Sequence, residues 1–173
     1  MDPVPLGSGE YFGCLGLLVL SRGMDMLSTW IATPNLVLEA NPLARRLGWK
    51  WGALFTLAVC IGAALWPLLA IIISTISLLV AARNFQQAWL MRSLGEETYR
   101  AWMVERIRHA SAGLHLFCVL AEALLIAGVG GSLLWFSGDR LMPLAVGAGI
   151  VSYSFAVVFY TLLSVWRLRR RLS

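Results

Sequence analysis

The stretch YFGCLGLLVLSRGMDMLSTWI, Tyr11–Ile31, decides the fold. Its first half is uniformly apolar, and the whole is about as long as a helix that crosses a hydrocarbon core of about 30 Å. Its second half carries Arg22, Asp25, Ser28 and Thr29. Arg22 and Asp25 stand three apart and share a helical face, so they can pair, and Thr29 extends the same polar stripe by one turn. Each charge would cost about 2.5–3.5 kcal/mol at the membrane centre. The stripe is therefore expected to face protein rather than lipid.

Composition widens this reading to the whole chain. The 173 residues are 59% hydrophobic and 13% charged, against about 25% charged in a soluble domain. The expected fold is all-α: a polytopic membrane protein of four transmembrane helices in a single domain. The spans are predicted at 11–31, 51–82, 111–136 and 141–166, with interfacial helices at 42–48 and 83–108. Residues 1–10 hold Asp2 and Glu10 and no Lys or Arg, unlike the basic start of a signal peptide, so the first segment is expected to be retained. The three cysteines, Cys14, Cys60 and Cys118, all fall in apolar segments and read as small apolar side chains. Two histidines, His109 and His115, do not make a multi-His zinc site.

Between the first two spans, Asn41-Pro42 reads as an N-cap with Pro at the first helical position. Gly48 ends the short helix that follows. The apolar run 53–82 is long for one span, and the expectation is one tilted helix kinked near Pro67. Two re-entrant halves meeting at Trp66-Pro67 are the alternative. From 83 to 108, Arg83, Arg92, Arg100, Arg106 and Arg108 alternate with aromatic and aliphatic residues at helical spacing. That pattern fits an amphipathic connection at headgroup level, in two pieces separated by Gly95, with Glu96-Glu97 suited to a helix start. Small residues Ala123, Ala127 and Gly131 face a matching ridge of Ala148, Ser152 and Ala156, and Ser137-Gly138-Asp139-Arg140 makes a tight turn between the last two spans.

With four spans, the connection after the second and the C-terminal tail together hold nine Lys and Arg, against four in the other two connections. This count predicts both termini on the cytoplasmic side of a prokaryotic inner membrane. The net charge of +5 then points to anionic headgroups at Arg83–Arg108 and at the Arg-rich C-terminus, not to nucleic acid. A protein partner or a second copy is the other expected contact.

Two polar constellations are the candidate sites. Asp25, Ser28, Thr29, Glu39 and Asn41 offer hard oxygens suited to a cation or a small polar ligand. The competing reading pairs Asp25 with Arg22 and leaves Glu39 and Asn41 as turn caps. His115 and Glu122 lie seven apart on one helical face and could relay protons, supply two ligands of one metal, or hydrogen-bond Tyr153, Tyr160 or Ser152 of the last span. Neither histidine sits in a His-Glu-x-x-His motif, and no Gly-x-Ser-x-Gly elbow or phosphate-binding glycine loop is present. No cofactor and no catalytic residue is assigned.

Asp25-x-x-Ser28-Thr29 followed by Glu39-Ala40-Asn41-Pro42 resembles the Asp…Thr…Glu-x-Asn-Pro pattern of a family of small, uncharacterised prokaryotic membrane proteins. The resemblance covers residues 22 to 52 and implies a four-helix membrane fold, with no activity attached. The expected function is an intramembrane polar pocket, open to the outer side, that binds or transports a cation or small polar ligand. The alternatives are a non-catalytic subunit of a larger membrane complex, and an intramembrane enzyme acting on a lipid or isoprenoid through carboxylate chemistry.

Overall fold

The computed structural model describes residues 3–39 and 41–170. It is all-helical, in the order α1 (Gly9–Ala32), α2 (Pro42–Ala63), α3 (Pro67–Leu94), α4 (Glu96–His109), α5 (Ala112–Trp135) and α6 (Leu141–Arg170). Four of them, α1, α3, α5 and α6, are long and apolar enough to cross a membrane.

The expected kinked helix over 51–82 is instead two helices with a chain reversal between them. The backbone N–H groups of Ala64, Leu65 and Trp66 bond back to Cys60, Gly62 and Ala63 and close off α2. Trp66, at φ −121° and ψ 100°, is extended, as the residue before a proline tends to be. Pro67 then opens α3, where its missing N–H costs no intrahelical bond.

The reversal makes α1 and α3 parallel. At one end, the Val4 N–H donates to the Leu65 carbonyl at 2.8 Å, and the Tyr11 hydroxyl reaches the Ile61 carbonyl at 3.4 Å. At the other end, Thr33 and Asn35 bond Glu96 at the start of α4. Between these ends the register is constant: Arg22 contacts Ser77, and Thr29 contacts Asn84, each at a separation of 55 residues.

The α1/α3 interface is a seam of small and polar residues. Along α1 the buried positions are Tyr11, Leu18, Ser21, Ser28 and Ala32. Along α3 they are Ala70, Ile71, Ser74, Ser77, Ala81 and Ala88. With Asp25 the α1 row advances from Leu18 by alternate threes and fours, and with Asn84 the α3 row does so from Ala70, Ile71 lying off it. That 3.5-residue repeat is the signature of a shallow left-handed crossing, and small side chains let the backbones approach.

The α5/α6 pair is an antiparallel hairpin, and its close approach uses other residues than the expected ridges. A Cβ on Gly147 would stand 2.7 Å from the Gly130 carbonyl, whereas one on Gly131 would meet no neighbouring segment within 4 Å. Ala123 and Ala127 instead line an apolar groove where α5 and α6 diverge. The hairpin docks on α3 where Gly149 meets Thr75 and Ile72. With Glu122 of α5 against Arg83, this makes α6 parallel to α3 and α5 antiparallel.

α1, α3 and α6 thus run one way, and α2 and α5 return. The start of α1 and the end of α6 lie at opposite ends of the bundle, not at one end as the charge count over four spans predicts. The connection after α1 and helix α4 share an end, where that count placed them on opposite sides. Both differences have one cause: α2 is a returning helix. The basic piece expected over 83–108 divides at Gly95, whose φ of +79° breaks the helix. Residues 83–94 complete α3, and α4 starts afresh at Glu96.

Candidate functional site

The polar stripe of α1 faces α3. The Arg22 guanidinium holds the Asp25 carboxylate at 2.8 Å, and the same Nη1 reaches the Ser77 hydroxyl at 3.4 Å. Ser28 donates to the Asp25 carbonyl at 2.8 Å, folding its hydroxyl onto its own helix as a buried serine does when no other acceptor offers. Asn84 of α3 donates through Nδ2 to both Ser28 Oγ, at 3.2 Å, and Thr29 Oγ1, at 3.1 Å. Asp25, Ser28 and Thr29 are thus gathered with Arg22, Ser77 and Asn84 in one layer of the seam. The Asp25 side chain is 17% exposed.

Glu39 and Asn41 lie in the connection between α1 and α2. The Asn41 N–H donates to Glu39 Oε1 at 2.8 Å, and Asn41 Oδ1 accepts from the Leu43 N–H at 2.9 Å. Both act as local caps, Asn41 as the N-cap of α2. The short helix after Asn41 ends at Gly48, with φ +64° and ψ −173°. Beyond it, Trp49 Nε1 donates to the Pro34 carbonyl at 2.8 Å and ties α2 to the end of α1.

A second layer sits at the same end of the bundle. Thr33 Oγ1 donates to Glu96 Oε2 at 2.8 Å, and the Val37 N–H donates to the same oxygen at 3.1 Å. The backbone and side-chain amides of Asn35 reach Glu96 Oε1 at 2.9 and 3.2 Å. Burial works to raise the Glu96 pKa. The four donors outweigh it and hold the carboxyl below its ordinary range. This clamp and Asn84 were missed in the sequence. Asn84 had a readable signal, as the amide of α3 that stands at the seam spacing, Gln86 and Gln87 lying off it. Glu96 had none, because its partners lie about 60 residues away and in a loop.

Glu122 does not meet Asp25. It pairs with Arg83 at 3.1 Å and is 48% exposed, in place of the expected tyrosine or serine of the last span. Arg83 and Asn84 are neighbours on α3 and leave it on different faces, so the Glu122 pair and the Asp25 layer flank one helix. His115 Nε2 is buried and has no hydrogen-bond partner among the described residues. Among the described residues, no three of His, Cys, Asp and Glu stand close enough to hold a metal ion.

A groove of about 580 Å³ opens between α5 and α6. Its walls include Leu120, Leu124, Phe155, Phe159 and Leu162, and Ser154 is its one hydroxyl. That hydroxyl is spent on the Ile150 carbonyl at 3.0 Å.

Comparison with protein-family models, with curated proteins and with solved structures finds no match to this chain.

Proposed function

We propose that this membrane protein binds a cation in the α1/α3 seam, at the layer of Asp25, Ser28, Thr29 and Asn84, with Glu39 at its mouth. The single observation that supports the reading is a gathering of hard oxygens: the Asp25 carboxylate, paired with Arg22 at 2.8 Å, stands in one layer with the Ser28 and Thr29 hydroxyls and Asn84. Glu39, on the connection that leaves α1, adds a negative charge that Arg22 does not cancel. Such a set suits a hard cation better than an anion. The mouth lies at the end of the bundle shared with α4, because Glu39 belongs to the connection that Glu96 clamps.

The test is a melting series on the purified protein in detergent. Sodium, potassium, magnesium and calcium chlorides are each compared with choline chloride at constant ionic strength. A cation that binds the folded state raises the melting temperature by mass action. Glu39→Gln and Asp25→Asn are expected to abolish the rise. A chain that answers all salts alike, or variants that answer as the parent does, would end the reading.

The second reading, a subunit of a larger membrane complex, is favoured by the apolar α5/α6 groove. Ala127→Trp would fill it. That variant should remain folded and elute at a smaller assembly size than the parent in mild detergent; equal sizes would remove the reading.

A further inference from the structure

We infer that the chain crosses the bilayer five times, with its N-terminal end outside and the end bearing α4 on the cytoplasmic leaflet, against anionic headgroups. The inference does not rest on the cation site.

The number of crossings follows from direction. α1 and α3 are parallel, fixed at one end by Val4 on Leu65 and at the other by Thr33 and Asn35 on Glu96. If both span, the chain must return between them, and α2 is the only segment available. From Trp49 to Ala63 the helix covers about 21 Å at 1.5 Å per residue, shorter than a core of about 30 Å, a mismatch that local bilayer thinning and the snorkelling of Lys50 accommodate. Its outer flank, Trp51, Leu54, Phe55, Leu57 and Ile61, is exposed and apolar, as a lipid-facing flank must be. α2 escapes notice as a span because Arg45, Arg46 and Lys50 crowd its start.

Sidedness follows from charge. Arg45, Arg46, Lys50, Arg92, Arg100, Arg106, Arg108, Arg167, Arg169 and Arg170 belong to segments at the α4 end, and Arg171 continues the last of them in the sequence. The opposite end, with the start of α1, the α2/α3 reversal and the α5/α6 turn, holds Arg140 alone among Lys and Arg, beside Glu10 and Asp139. Basic residues in short connections favour the cytoplasmic side. Recounted over five spans, the bias is far steeper than the nine against four obtained over four. The same end presents Trp102, whose ring lies 5.5 Å from the Arg106 guanidinium carbon, an aromatic-basic pair of the kind that settles among headgroups.

The experiment puts one epitope tag at each terminus of the full chain and treats intact spheroplasts with protease. The N-terminal tag is expected to be lost and the C-terminal tag kept until lysis. Equal fates for the two tags, or the reverse order, would overturn the topology. The lipid contact is read separately, on protein reconstituted in phosphatidylcholine vesicles with and without phosphatidylglycerol. Trypsin should cut at Arg100, Arg106 and Arg108 several-fold more slowly when the anionic lipid is present. Equal rates would overturn that contact while leaving the topology standing.

Discussion

Thr33 and Glu96 are 63 residues apart in sequence and share a hydrogen bond of 2.8 Å. That one contact joins the end of α1 to the start of α4, and it decides which connections share an end of the bundle. Removing the carboxylate in Glu96→Ala strips four donors of their acceptor at once. The loss is expected to be about 1–3 kcal/mol, with faster hydrogen exchange at the Asn35 and Val37 amides.

The same carboxylate gives the loop a pH dependence with a definite sign. Its folded-state pKa lies below its ordinary value. The stabilisation is therefore complete above the unfolded pKa, about 4.3, and constant at neutral pH. It fades only as pH falls through the lower folded value. Exchange at Asn35 and Val37 should rise in that acid range. In Glu96→Gln the rise should be absent.

Arg22 and Asp25 should behave as a unit. Arg22→Leu leaves a half-shielded carboxylate in a span and is expected to cost about 2–3 kcal/mol. The double variant Arg22→Leu/Asp25→Leu leaves no charge and should be more stable than Arg22→Leu alone. Unfolding in mixed detergent measures the cycle. Additive costs would show that the two side chains do not depend on each other.

Asn84 is the one side chain of α3 that bonds two hydroxyls of α1. Interhelical hydrogen bonds in membranes are worth about 0.6 kcal/mol on average. Asn84→Leu, with the same number of side-chain heavy atoms, should therefore lower stability by roughly 1 kcal/mol through two such bonds. The effect should shrink when Thr29 is already valine.

Close packing singles out Gly130, Gly147 and Gly149 and spares Gly131. In Gly149→Ala the new Cβ would sit 2.7 Å from Thr75 Cβ, and in Gly147→Ala 2.7 Å from the Gly130 carbonyl. Each is expected to lower the melting temperature, at a cost of about 1–3 kcal/mol. Gly131→Ala meets nothing within 4 Å and should melt with the parent.

Much of the helical layout was legible. Asn41-Pro42, Gly48, Gly95 and the turn at 137–140 punctuate the chain where cap and turn chemistry say they should. The reversal at 64–66 was legible only as the less favoured alternative of two halves meeting at Trp66-Pro67, because Ala64, Leu65 and Trp66 are themselves apolar, and the polar turn residues of soluble proteins are missing. Reading 51–82 as one helix then put α1 and α3 antiparallel and moved Glu39 to the wrong end. The seam was only half visible. Arg22, Asp25 and Thr29 stood out as charged or polar, but Ser21, Ser74 and Ser77 look like filler. In a membrane the close-packed stripe is made of small residues, so the search for a large-hydrophobic repeat passes over it. Pairings across long separations, Arg83 with Glu122 and Thr33 with Glu96, leave no local trace at all.

The parallel register of α1 and α3 also shapes how the protein is made. Asn84 and Ser77 leave the ribosome about 55 residues after the groups they bind, a lag of about 3–11 s at ordinary elongation rates. Through that interval the first helix must wait in the bilayer without its mate. Arg22 and Asp25, one turn apart, neutralise each other from within the same helix. The nascent segment can therefore reside there before the rest of its surroundings exists.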